Sequence, residues 1–155
     1  GDTLRLAQPA TFSLVQTPGL SEKVTRLVNP ILMPAVISAV APLRVTVAPD
    51  GFSLPSRGFD WTRVNAAIHL DVGRVTAQAS RPPFDQIVKQ LQAFNVLKEG
   101  ALYEMDVRPI DLTIDAGVFN YAPQIFDIDD VTLTFSGQLS VAEGQMDVRL
   151  VPGGR

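Results

Sequence analysis

The sequence predicts an α+β fold: a strongly curved antiparallel β-sheet, built as a meander, with two helices packed on its apolar face. Three observations carry that prediction. From Ala101 onward apolar and polar residues alternate, the period of a half-buried strand. Clusters of Pro, Asp and Gly interrupt the alternation at turn-like intervals. Two stretches keep helical spacing instead, one beginning near Leu20 and the other near Phe84.

In chain order, Leu4 to Leu6 and Ala10 to Val15 read as short strands separated by Gln8-Pro9. "TPGLSEKVTRLV" opens the first helix, with Leu20, Val24, Leu27, Val28 and Ile31 at helical spacing. Asn29-Pro30 can restart it, since Asn caps well and Pro suits the first helical position. Residues 27–43, "LVNPILMPAVISAVAPL", carry no charge between Arg26 and Arg44 and read as a helix apolar on nearly every side. Such a helix is either buried all round or stands at the mouth of a groove or on a membrane surface. Its length only reaches the short limit for a bilayer span, and Pro30 and Pro34 argue against a free-standing one.

"LRVTVA" then forms a strand, Pro49-Asp50-Gly51 a turn, and "FSLP" the returning strand. "RVNAAIHLDVGRVTAQA" alternates, with Gly73 as a bend or bulge. The second helix places Phe84, Ile87, Val88, Leu91 and Phe94 on one stripe, and Lys98 and Gly100 supply its stop signals. Pro109, inside a strand run, implies an edge position or a bulge. The last stretch, Asp130 to Pro152, reads as strand, turn, strand, turn, strand with Gly137 and Gly144 at the turns. A weak internal echo pairs Leu70-Asp71-Val72-Gly73 with Ile114-Asp115-Ala116-Gly117.

A chain of 155 residues, 46% of them apolar, is one domain over 1–155 and can bury a core without staples. Its opening Gly1-Asp2 and closing "PGGR" suggest an excerpt of a longer protein. The absence of cysteine excludes disulfides, thiolate metal sites and a Cys nucleophile. Residues 1–98 carry ten Lys/Arg against six Asp/Glu, and residues 99–155 three against ten. An acidic last third and singly scattered basic residues argue against nucleic acid as a partner.

His69 is the single histidine, with Asp71 two residues on and hence on the same strand face. Ser53, Ser56 and Ser80 are the nucleophiles such a pair could serve, but none lies in a Gly-x-Ser-x-Gly elbow. "DIDD" at 127–130, with Asp111 and Asp115, lacks the spacing of a calcium-binding loop. Glu104 and Asp106 sit, like Asp127 and Asp129, in plain alternating runs without the perturbed setting of a catalytic carboxylate pair. Phe59 and Trp61 either anchor a strand end or touch a partner. These features predict no enzyme, no cofactor and no metal site.

The run from Phe52 to Pro152 resembles the C-terminal part of AsmA-like proteins of bacterial envelopes. The resemblance lies in Leu54-Pro55, the Leu70-Asp71-Val72-Gly73 bend, Gly117, Phe135-Ser136-Gly137 and the strand ending at Val151-Pro152, taken in that order. It implies a periplasmic protein with a long curved sheet, apolar on its concave side. It also implies a membrane anchor outside this chain, and a part in outer-membrane biogenesis or phospholipid transport. No catalytic residues belong to that family.

The resulting expectation is a non-enzymatic module forming part of a hydrophobic, lipid-accommodating groove. Ile68, Leu70, Leu133, Phe135, Val148 and Leu150 would line it, and Ile31, Leu32, Val36 and Ile37 would belong to a gating helix. A lipid or fatty-acyl chain, the rest of a longer chain and other envelope proteins are its expected partners. The alternative is a structural or interaction module whose filled core leaves only its sheet edges to pair with partners.

Overall fold

The computed structural model describes residues 3–23, 25–93 and 102–154. The first half contains β1 (Thr3–Leu4), β2 (Ala10–Leu14), α1 (Pro18–Lys23), β3 (Val36–Ala39), β4 (Leu43–Val47), β5 (Leu54–Pro55), β6 (Ala66–Asp71) and β7 (Gly73–Gln78). The second contains α2 (Phe84–Ala93), β8 (Leu102–Val107), β9 (Ile110–Asp115), β10 (Val118–Ile128), β11 (Val131–Ser140) and β12 (Gln145–Gly154). β1 and β5 form a small ribbon, and the other strands make one antiparallel sheet. The fold is α+β, with two helices and a strongly curled, half-barrel sheet.

The curl has a local cause. Three pairs of consecutive strands are single long strands broken in the middle: β3 and β4 at Val40-Ala41-Pro42, β6 and β7 at Val72, β8 and β9 at Arg108-Pro109. On one side of the breaks β4 pairs with β6 and β6 with β9; on the other β3 pairs with β7 and β7 with β8. β10 runs past both halves, pairing with β9 and with β8, and its own irregularity lies between Tyr121 and Gln124. The breaks therefore align as a crease across four neighbouring strands. Pro42, Pro109 and Pro123 sit in it because they have no N–H to give a ladder. At three of the four breaks the buried residues step by three and stay on one face: Val72 to Val75, Val107 to Ile110, Tyr121 to Gln124. Bulges bend a strand and raise its twist, so an aligned row of them curls the whole sheet.

Several expectations change. Residues 27–43 are not a helix: α1 stops at Lys23, short 3₁₀ turns occupy Thr25–Leu27 and Met33–Ala35, and β3 follows at once. The expected gating helix is therefore absent, with Ile31 and Leu32 in a turn and Val36 and Ile37 in a strand. The Asn29 cap does form, its Oδ1 accepting from the N–H groups of Ile31 and Leu32 at 3.0 and 2.9 Å. Pro34 then removes a donor, and β-branched Val36 opens the ladder with β7, with Ile37 at the bulge that follows it.

Gly137 is not a turn either. β11 runs through it, and the one turn before β12 spans 141–144. Its φ of 143° favours glycine, and a Cβ there would meet the Asp147 carbonyl and the Val148 Cα of β12. The two echo segments differ as well: Val72-Gly73 lies in the crease, whereas Ala116-Gly117 is a hairpin loop with φ of 49° and 79°. Pro109 occupies a break within the sheet, and α2 buries Phe84, Val88 and Leu91 of its expected stripe. Val24, Phe94, Lys98 and Gly100 lie outside the described residues.

Candidate functional site

The apolar face is the surface on which any groove would have to be built. The six expected lining residues do not come together as one set. Ile68 and Leu70 lie on β6, facing Leu112 and Ile110 of β9. Leu133 and Phe135 lie on β11 and Val148 and Leu150 on β12, with Phe135 directly opposite Leu150. β9 and β10 separate the two groups.

Burial grades along this face. Leu133 and Phe135 are 0% exposed and Leu70 only 2%. Val148 and Leu150 are half-buried, and Met146, next along β12, is 49% exposed. The same happens at the opposite edge, where Leu43 is fully buried and Phe12 of β2, across from Val45, is 47% exposed. The middle of the face is packed, and its margins are not.

A polar clasp, absent from the sequence reading, ties the 27–35 segment to the crease. The Gln124 amide donates to the Val28 carbonyl at 2.9 Å, and its Oε1 accepts from the Asn29 amide at 3.0 Å. The Tyr121 hydroxyl donates to the Leu27 carbonyl at 2.6 Å, and burial pushes its pKa up. Asn29 and Gln124 are buried, as are Leu32 and Met33 beside them. Ile31 is partly buried, and so is Ile37. A polar residue at an apolar phase of β10 was the one sequence signal for this clasp. At the other half of the sheet, the Phe84 ring of α2 meets Tyr103 of β8 edge-on, centroids 6.3 Å apart.

The polar face carries the expected His69–Asp71 pair, and adds Asp111 to it. His69 Nδ1 lies 2.8 Å from Asp111 Oδ1, and Nε2 lies 3.3 Å from Asp71 Oδ1. The hydrogen bond that His69 donates to Asp111 raises the histidine pKa, assisted by the charges of both carboxylates and opposed by partial burial. With a carboxylate at each ring nitrogen, the geometry suits an imidazolium that donates twice. Further along, Arg74 pairs with Asp106 and Glu104, while buried Asp127 accepts from Arg108 and Thr132. Asp115 ends β9 and Asp129 opens the β10–β11 loop. Among the described residues no group of three His, Asp or Glu is set to hold a metal, and no helix is long and apolar enough to cross a membrane. Phe59 is 67% exposed and meets half-buried Trp61 edge-on, and the Trp61 ring lies tilted against Phe119 with centroids 5.7 Å apart, so Trp61 anchors while Phe59 keeps its outer side open.

Comparison with protein-family models, with curated proteins and with solved structures finds no match.

Proposed function

We propose that this chain is a non-enzymatic module of a bacterial cell-envelope protein, periplasmic, that caps one end of a hydrophobic, lipid-accommodating groove used in outer-membrane biogenesis or phospholipid transport. One observation carries the reading: the apolar face is full at β11 and continues, half-covered, onto β12. On this reading α1, α2 and the 27–35 segment cover the middle of the face, held by the Gln124 clasp and the Phe84–Tyr103 contact. Acyl chains meet only the margin formed by Met146, Val148 and Leu150. Membrane attachment and further partners belong to regions outside this chain. His69, bound by carboxylates on both sides, serves the sheet rather than chemistry.

A second reading has its own support. Because Leu70, Leu133 and Phe135 are buried by the chain itself, the module can equally be a filled structural unit that binds through its edges. A dansylated fatty acid titrated into lipid-extracted chain separates them. The cap reading expects saturable uptake that is lost when Met146→Asp and Leu150→Asp are combined and kept in Gln138→Asp on the polar face. No uptake by the unaltered chain overturns the cap and leaves the filled module.

A further inference from the structure

We propose that β12 is a self-complementary interface through which two copies of this chain pair antiparallel about Val148. The edge is built unlike the others. Proteins usually blunt an exposed edge with short strands, lysines, prolines or bulges. β12 is ten residues long, carries no lysine, and its one proline, Pro152, comes near its end. The other margin of the sheet is blunted: β2 has five residues, and the Gln16 amide reaches the Val36 carbonyl of β3 at 3.5 Å.

The residues of β12 then specify the partner. Met146, Val148 and Leu150 alternate with Asp147 and Arg149, so apolar and charged residues take opposite faces. Across β11, Asp147 faces Gln138 and Arg149 faces Ser136, both neutral, and the Gln138 amide is already given to Asn120. An antiparallel pairing centred on Val148 sets Asp147 opposite Arg149 of the second copy, twice over. On the apolar face it sets Val148 against itself and Met146 against Leu150 of the second copy. Pro152 falls just beyond this ladder, opposite Gly144 in the turn, where its missing N–H does no harm.

Other registers fail on simple grounds. A shift of one residue turns one copy's apolar face to the other copy's polar side. A slip that re-centres the pair on Asp147 or on Arg149 puts like charges directly opposite, which is destabilising. The favoured register extends each copy's apolar face into the other's and closes as a two-fold dimer.

Sedimentation velocity across a concentration series tests this without reference to lipid. A reversible dimer is expected, weak as befits a small interface. Asp147→Arg and Arg149→Asp each create like-charge pairs at two places and should each raise the dissociation constant about tenfold. The double charge swap should restore it. Both side chains are exposed, so circular dichroism should report the fold intact in every variant. The chain has no cysteine, so Val148→Cys should cross-link to itself on mild oxidation while Val151→Cys should not. A strictly monomeric chain, a dimer indifferent to the single swaps, a double swap that fails to restore pairing, or open-ended growth would each overturn the proposal.

Discussion

The two edges of this sheet begin from the same materials and end differently. At the first edge, β2 is short and the β3 backbone receives a side-chain amide from Gln16. At the last, β12 pairs with β11 alone among the described residues, with Met146 and Val151 about half exposed. Yet both strands carry the same alternation, and both leave an apolar residue of the covered face in the open, Phe12 in one case and Met146 in the other. Alternation decides which face is apolar. What covers the face, and what meets the edge, is decided by segments distant in sequence.

The sharpest way to break the comparison is to cut side chains from the same row. Phe135→Ala removes a ring that is 0% exposed and should cost about 3–5 kcal/mol of stability. Leu150→Ala, directly across the ladder and half-buried, should cost about 1 kcal/mol, and Met146→Ala no more than about 0.5 kcal/mol. Urea unfolding with unchanged slope measures all three. Equal costs for Phe135 and Leu150 would mean that β12 is as fully covered as β11.

Gly137 tests what holds the free edge in place. Gly137→Ala forces a Cβ against the β12 backbone at a φ of 143° and should cost about 2 kcal/mol or more. Gly144→Ala, at a φ of 66° with nothing near its Cβ position, carries only the backbone penalty of about 1 kcal/mol. Hydrogen exchange should place the loosening caused by Gly137→Ala in β12 and spare β6. Uniform loosening would count against a locally attached edge.

Gln124→Leu probes the covered middle. It strands the Val28 carbonyl and the Asn29 amide, a loss of about 1–3 kcal/mol read by thermal or urea unfolding. A neutral result would mean that water or neighbouring groups replace the clasp.

How far the sequence anticipates all this depends on the range of the interaction responsible. Strand alternation, the α2 stripe and the Asn29 cap are local, and each is readable from a few residues. The phase slips at Val72, Val107 and Tyr121 are also written in the chain, but their alignment into a crease is a matter of register between strands. No single segment records it. Uniform apolarity has no period, so the 27–43 stretch reads as a helix in sequence, whereas the ladder offered by β7 and the loss of a donor at Pro34 decide against one. The clasp is less legible still, since Asn29 and Gln124 are 95 residues apart. Of the candidate site, alternation places Leu70, Leu133 and Phe135 on the apolar face, but it does not say whether they are buried or line a groove, nor how exposure grades toward β12.

The smallest effect concerns charge, where interior and edge differ most plainly. Asp147 and Arg149 on β12 face neutral residues across the ladder, whereas His69, inside the sheet, has a carboxylate at each ring nitrogen. Asp111, by hydrogen bond and then by charge, raises the folded histidine pKa above its ordinary 6.5. The folded state therefore holds the proton more tightly than the unfolded chain does. Its contribution is complete below the unfolded pKa and is lost as pH rises through the raised folded value. Stability measured across that window should decline gently on the alkaline side, and His69→Gln should flatten the decline. Because the ring is 42% exposed and solvent screens the pair, the effect should be no more than about a few tenths of a kcal/mol. Stability that rises through the same window, or a His69→Gln profile parallel to that of the unaltered chain, would show that the carboxylates do not hold the imidazolium in solution.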